Sequence, residues 1–286
     1  MVNNMENKVL ILGGSGMAGH MIKLYFESNG YDVKYTCRNK ENTEAFYYDV
    51  AKDMEALEKI LDDVKPNLVI NAIGILNKAA EDDHVLAVKV NSLFPHYVDS
   101  LSQKYGFTFI HMSTDCVNSG LKGQYIESDV PDASSFYGRS KALGEINNNV
   151  NLTIRTSIVG PDINSNGIGL FHWFMNQTGE VNGFTEVIWS GVTTLELAKG
   201  MKAAYEQKLT GLYFLVNNKT ISKFDLISLF KKYMDKDIII NKYADKVENK
   251  SLLCTRNDFD YTVPSYEEMV KEMCEFIKEH KDIYKY

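Results

Sequence analysis

Tyr137 and Lys141 stand four residues apart in Ser135-Phe-Tyr-Gly-Arg-Ser-Lys141, a spacing that puts both side chains on one face of a helix. A phenol is a poor acid at neutral pH, with a reference pKa of about 10. A neighbouring ammonium favours the phenolate and brings the group toward the range useful for proton transfer. Such pairs also occur on ordinary helix surfaces. What singles this one out is the segment one loop upstream, His111-Met-Ser-Thr-Asp-Cys116, where Ser113 and Thr114 close a predicted strand. Cys116 has no activating neighbour and reads as a small wall residue, not a nucleophile.

Positioning these groups requires a sheet, and the N-terminal part of the chain supplies its pattern. Val9 to Leu12 reads as a buried parallel strand that stops at glycine. Gly13, Gly16 and Gly19 follow at three-residue spacing, with Ser15 and Met17 between them, and a helix begins. Strand, glycine turn and helix start together make a diphosphate site, because the backbone can approach the anion while free N–H groups and the helix dipole face it. An empty tight turn is the bland alternative. The second predicted strand, Val33 to Thr36, ends at Cys37-Arg38-Asn39-Lys40, with cations and no acid at the turn. Arg38, Asn39 and Lys40 therefore favour the 2′-phosphate of NADP over the 2′-hydroxyl of NAD. Ala45 to Val50 reads as a third strand, with Asp49, beside Val50, placed either to meet an adenine amino group or as an exposed turn aspartate. Pro66 to Gly74 gives a fourth, running into the small-residue turn Ala72-Ile73-Gly74 against which a ring or phosphate can lie.

Helical patterns over Met54 to Val64 and Glu81 to Tyr105 alternate with these strands, and Phe107–Met112 and Leu152–Ser157 complete six. This alternation predicts an α/β fold of the Rossmann type, a doubly wound parallel sheet with ligands beyond the carboxyl ends of the strands. Residues 1–162 form the expected nucleotide-binding domain, with a returning segment near 186–207, and residues 163–286 mainly a smaller α/β substrate lobe. In that lobe the cluster Phe171-His-Trp-Phe-Met175 reads as helix packing or as a cap wall presenting Trp173; His172 has no metal partners in view. Lys250 and Arg256 are candidate anion contacts or ordinary surface cations.

The net charge of −7 over 286 residues argues against general nucleic-acid or anionic-membrane binding. The four cysteines, Cys37, Cys116, Cys254 and Cys274, are scattered without metal or disulfide spacing. No apolar run reaches membrane-spanning length, and the first residues lack the apolar core of a secretion signal. A reducing cytoplasm is the expected compartment.

Taken in order, Gly13-x-x-Gly16-x-x-Gly19, Ser113-Thr114-Asp115, Tyr137-x-x-x-Lys141 and Arg155-Thr-Ser157 resemble the extended short-chain dehydrogenase/reductase family. Within it they look most like the dTDP-4-dehydrorhamnose reductase group, whose members reduce nucleotide-linked 4-keto sugars. The resemblance spans most of the chain and loosens after about residue 165. It implies NADP(H) as cofactor and a nucleotide-sugar as substrate, in deoxysugar synthesis for a surface polysaccharide. It further implies that Tyr137 donates a proton to the ketone oxygen, Thr114 hydrogen-bonds that oxygen, and Lys141 holds the nicotinamide ribose and lowers the tyrosine pKa. Ser113 would flank the cofactor, and Asp115, Cys116 and Trp173 the sugar. Related 4,6-dehydratases carry an Asp-Glu pair after the threonine; here Asp115 precedes Cys116, so elimination of water is excluded. The reductases more usually have aromatics where Cys116 and Asn118 stand, which bears on the sugar and not on the reaction. An epimerase that keeps its dinucleotide, and a dinucleotide-binding regulatory subunit without turnover, are the rival readings. A homodimer is the default expectation for such an enzyme.

Overall fold

In the computed structural model residues 7–286 are described; the first six, on which the reading of the N-terminus largely rests, lie outside the described residues. Strand β1 (Lys8–Leu12) leads through the glycine turn into α1 (Met17–Ser28), followed by β2 (Asp32–Cys37), β3 (Phe46–Tyr47), α2 (Ala56–Val64) and β4 (Leu68–Asn71). Helices α3 (Asn77–Asp82), α4 (His84–Ala87) and α5 (Phe94–Tyr105) precede β5 (Thr108–Thr114), a 3₁₀ turn (Asp115–Val117), α6 (Phe136–Leu143) and β6 (Leu152–Thr156). Then come β7 (Ile158–Val159), α7 (Leu170–Met175), β8 (Glu180–Phe184), β9 (Val187–Trp189), β10 (Val192–Thr193), α8 (Thr194–Glu206) and β11 (Gly211–Phe214). The chain ends with β12 (Ile221–Ser222), α9 (Lys223–Met234), β13 (Ile239–Tyr243), β14 (Glu248–Asn249) and α10 (Tyr266–Glu279).

Seven parallel strands form the main sheet in the order β11-β6-β5-β4-β1-β2-β3. Its central strand shows why the apolar run is continuous. Val9 and Ile11 face one core with Met21, Ile22 and Phe26 of α1 and Leu197 and Met201 of α8. Leu10 and Leu12 face the opposite core with Leu57, Ile60 and Leu61 of α2 and Phe94 and Val98 of α5. Burial on both faces leaves no polar position from Val9 to Leu12. The chain's return to this sheet runs past the expected limit of 207, since β11 pairs with β6 as its edge strand.

Two local expectations need correction. The third strand covers only Phe46–Tyr47, because Tyr48 turns inward and its hydroxyl donates to Met54 O at 2.9 Å, while Asp49 accepts Ala51 N at 3.1 Å and starts a turn. The helix foreseen over 81–105 is broken at Asp83, whose carboxylate instead caps α4 by accepting Leu86 N at 2.9 Å. A π-helical stretch, Val88–Leu93, then carries Asn91 inward. There Asn91 accepts Ile75 N at 2.8 Å and donates to Ile75 O at 2.9 Å and Ser140 Oγ at 3.1 Å, clipping the loop after β4 to α6. A π-turn adds a residue to the helix and so lets one polar side chain reach sideways.

On α8, Glu196 is 1% exposed; Tyr261 donates to its Oε1 at 2.5 Å, while Oε2 has no hydrogen-bond partner. Burial raises its pKa to about 7. The folded state therefore holds this proton more tightly than the unfolded chain, and stability is lost as pH rises from about 4.5 through 7. Glu196→Gln should be more stable than wild type at pH 8 by about 1 kcal/mol, with the gain gone at pH 4, as read by urea denaturation.

Candidate active site

The carboxyl ends of β1, β2 and β4 open onto a cleft of about 450 Å³ at the point where strand order reverses. Gly13, at φ +85°, makes the turn out of β1, and its N–H donates to Thr36 Oγ1 at 3.0 Å. A Cβ on Gly19 would lie 2.2 Å from Gly13 O, so only glycine lets α1 pack this tightly on the turn. Gly13, Ser15 and Gly16 line one wall, and Ala72, Ile73 and Gly74 another. Arg38, Asn39, Asp49 and Val50 close the far end. No side chain caps the start of α1, which leaves its first amides to an anion. These residues fit a dinucleotide: an open helix start for the diphosphate and Arg38 for an additional phosphate.

Of the contacts predicted in the glycine turn and after β2, three are not in this lining. Met17 is not part of this lining; its Sδ would lie 2.8 Å from a Cβ at Gly169. Gly19 acts in packing, as above. Lys40 sits 4.8 Å above the Tyr47 ring and is not part of the lining. Thr36, Tyr48, Asn164 and Asn166 line the cleft without having been singled out in the sequence.

The proton-transfer candidates come together at the end of β5. Helix α6 is capped by Ser135, which accepts Gly138 N at 3.1 Å. Gly138 lets this helix touch the 3₁₀ turn, since a Cβ there would lie 2.1 Å from Cys116 O. Tyr137, only 9% exposed, is thereby held beside Thr114, Asp115 and Cys116. Burial raises the phenol's pKa above its ordinary value, Cys116 and Asp115 add to this, and the Thr114 hydroxyl opposes it. The expected lowering by Lys141 does not operate in this geometry. Lys141 donates from Nζ to Met112 O at 2.6 Å and lies 3.4 Å from His111 Nε2. The phenol keeps its proton at neutral pH, as a donor must.

Lys141 is itself the perturbed base. Burial brings its pKa down to about 8, with Glu145 opposing. His111 beside it is completely buried, and burial and then the Lys141 charge lower its pKa and hold it neutral. Asn71 Oδ1 accepts Ile73 N at 3.0 Å, so its amide nitrogen faces His111 Nδ1 at 3.2 Å. Nδ1 then accepts, Nε2 carries the proton, and that N–H points at the lysine nitrogen. If the ammonium is needed for turnover, kcat/KM should fall as pH rises through about 8, and a pH–rate profile of the free enzyme reads that limb directly.

Ser113 donates to Glu145 Oε1 at 2.6 Å, so its hydroxyl is engaged in the buried Glu145–Arg155 pair. Burial pushes the Cys116 thiol up to about 12, which keeps it an inert wall group. Asp115 is buried, and its pKa is raised by burial against the pull of Lys223 and Lys250. Lys223, first residue of α9, lies 5.2 Å over the Trp189 ring, and burial lowers its pKa to about 8. It was missed because a lone lysine after an N-cap serine looks like any helix start. Lys250 faces the same two residues and pairs with Glu248 at 2.6 Å. Arg256 is a structural clip instead: it pairs with Asp258 at 2.5 Å and donates to Thr210 O at 2.7 Å and Leu212 O at 2.9 Å. Of the aromatic cluster, Phe171 and Phe174 are fully buried against Phe230. Trp173 is 40% exposed and faces a separate depression with Ile168 and His172, away from Tyr137 and Thr114.

The RmlD substrate binding domain family matches residues 7–274. A dTDP-4-dehydrorhamnose reductase from Burkholderia thailandensis is 38% identical over 94 residues, 32% of this chain and 32% of that protein. The chain thus spans about a third of that relative's length. The spore coat polysaccharide biosynthesis protein SpsK of Bacillus subtilis is 25% identical over 224 residues, 76% of each chain. Among solved structures, a Bacillus anthracis dTDP-4-dehydrorhamnose reductase in complex with NADP superposes with a TM-score of 0.80 at 20% identity, covering 96% of this chain and 100% of that one. That likeness carries the fold. With the family matched across both the glycine cleft and the lobe that follows it, the chain belongs to the RmlD substrate binding domain family.

Proposed function

We propose that the chain reduces a nucleotide-linked 4-keto-6-deoxysugar with NADPH, in deoxysugar synthesis. The observation that carries this reading is a buried, protonated Tyr137 beside Thr114, on the same helix as a buried Lys141. Bound in the cleft of Gly13, Gly16 and Arg38, NADPH supplies the hydride. Tyr137 gives its proton to the ketone oxygen, and Thr114, whose hydroxyl accepts Cys116 N at 3.1 Å and donates to Asp115 Oδ1 at 3.2 Å, turns its O–H from that carboxylate to the same oxygen as charge develops there. Lys141 holds the ribose of the nicotinamide half, and the Tyr137 phenolate left by the transfer takes its proton back from solvent. A regulatory subunit without turnover has no use for a buried proton donor, so the enzyme reading is preferred.

The nucleotide-sugar lies under the lobe built from residues after 163, between the 3₁₀ turn at Asp115–Val117 and α9. Lys223 and Lys250 are the cations that face it, and they take the anionic diphosphate. Lys223→Met should raise KM for the sugar nucleotide about tenfold with little change in kcat. Among the described residues no helix is long and apolar enough to cross a membrane. A cytoplasmic enzyme with the symmetry of a homodimer completes the reading, the latter checked by light scattering. The function itself is tested by NADPH oxidation against a panel of nucleotide 4-keto-6-deoxysugars generated by a dehydratase. Consumption with one nucleotide series supports the reading; tight co-purified NAD and interconversion without consumption would establish the epimerase instead.

A further inference from the structure

The loop Asp162–Gly167 crosses the dinucleotide cleft opposite Gly74, and its Asn164 and Asn166 line that cleft. Little apolar contact holds it there, since Ile163 and Ile168 at its two ends are 41% and 68% exposed. It is tied down by hydrogen bonds. Asn164 Nδ2 donates to Ser15 O of the glycine turn at 3.1 Å. At the loop's start Asp162 N donates to Tyr286 Oη at 2.8 Å, and that hydroxyl lies 3.1 Å from Asp162 O and 2.9 Å from His172 Nδ1. His172 in turn reaches Ser165 O from Nε2 at 3.3 Å, and the Tyr286 ring packs edge-on to Phe171 at 5.4 Å. One phenol thus gathers the loop's backbone and the histidine that holds its middle.

A second tyrosine from the same segment acts on the glycine turn. Tyr284 Oη lies 2.8 Å from His20 Nε2, and His20 Nδ1 lies 3.0 Å from Gly16 O. Residues 284–286 therefore reach the loop directly, through Tyr286, and the glycine turn through His20. The Asn164 amide spends its two N–H groups on Ser15 O and on Asp162 Oδ1 at 3.2 Å, so it ties the loop down, while Asn166 lines the third side of the dinucleotide cleft.

We propose that residues 162–167 are a lid over the dinucleotide, that Asn164 latches it to the glycine turn with Asn166 facing the diphosphate, and that Tyr286 is the positioning residue whose hydroxyl sets how fast the lid releases it. This rests on the reading of the cleft as the NADPH site. One hydroxyl holds the loop's start and the histidine at its middle, and the Asn164–Ser15 bond is the other tie, so deleting that oxygen should loosen the lid while leaving the ring on Phe171.

The test is stopped-flow release of NADPH, followed by its fluorescence on mixing with excess NADP, for wild type, Tyr286→Phe and Asn164→Ala. Each variant should release NADPH about five- to tenfold faster, the range expected for one or two lost hydrogen bonds. KM for NADPH should rise with it, while KM for the sugar nucleotide stays at the wild-type value. Asn164 is exposed, so its variant keeps the test valid should Tyr286→Phe melt early. Release at the wild-type rate in both variants would overturn the lid. Failure of wild type to bind NADPH would instead overturn the reading of the cleft on which the lid depends.

Discussion

Tyr137→Phe should lower kcat by about 10²- to 10⁴-fold, the range set by loss of a positioned general acid. NADPH affinity and melting temperature should remain near wild type. The ring is 9% exposed, and the substitution keeps the apolar part of it in place against Cys116 and the residues of α3 and α4. What is lost is a hydroxyl whose proton is held firmly because burial, Cys116 and Asp115 all disfavour the phenolate. In the resting enzyme such a group is an acid waiting for a stronger base. A ketone oxygen receiving hydride becomes that base only as the reaction proceeds, so the proton moves late and in one direction. The loss should therefore appear equally in kcat and in kcat/KM for the sugar, as for an interaction made in the transition state. A variant that turns over at a third of the wild-type rate would remove Tyr137 from the mechanism.

Arg155→Met should destabilise the protein by about 3–5 kcal/mol, the cost of leaving one member of a buried ion pair without the other. Arg155 is 1% exposed and Glu145 8%. The guanidinium donates to both carboxylate oxygens, from Nε at 2.8 Å and Nη2 at 2.5 Å, and lies 4.8 Å over the Phe214 ring. Without it, Glu145 keeps only the 2.6 Å bond from Ser113 in a dry site. Urea denaturation should show the loss, and the double variant Arg155→Met with Glu145→Gln should recover a substantial part, because the orphaned charge is then gone. The pair also bears on the chemistry. Ser113 precedes Thr114, and Glu145 follows Lys141 by one helical turn, so the surviving folded fraction of the single variant should have reduced kcat as well. An unchanged melting curve would mean that the pair carries no net stability.

The order of elements was readable because a parallel sheet with both faces covered requires unbroken apolar strands, and Val9–Leu12, Val69–Ile70 and Phe109–Ile110 meet that requirement without help from distant residues. The glycine turn was readable for a similar local reason, since Gly19 must lack a side chain to meet Gly13. What escaped depends on contacts far apart in the chain. Lys223 is brought near Asp115 only by the tertiary fold, across more than a hundred residues. Tyr286 reaches Asp162 across 124 residues. The π-helical stretch at Val88–Leu93 goes with Asn91 finding Ile75 and Ser140, partners that no helical periodicity reveals. The tyrosine–lysine spacing was legible, but its electrostatics were not. Proximity in sequence suggested an ammonium acting on a phenol, whereas Lys141 is turned toward Met112 and His111 and is itself desolvated.

The central claim is net hydride transfer from the dinucleotide to carbon 4 of a nucleotide-linked sugar, and deuterium transfer tests it most directly. The enzyme would be incubated with a nucleotide 4-keto-6-deoxysugar and NADPH deuterated at C4 of the nicotinamide, and the product examined by NMR and mass spectrometry. The account predicts deuterium on sugar carbon 4, with one NADPH oxidised for each sugar reduced. Product formed without label, or a sugar epimerised with no NADPH consumed, would contradict it.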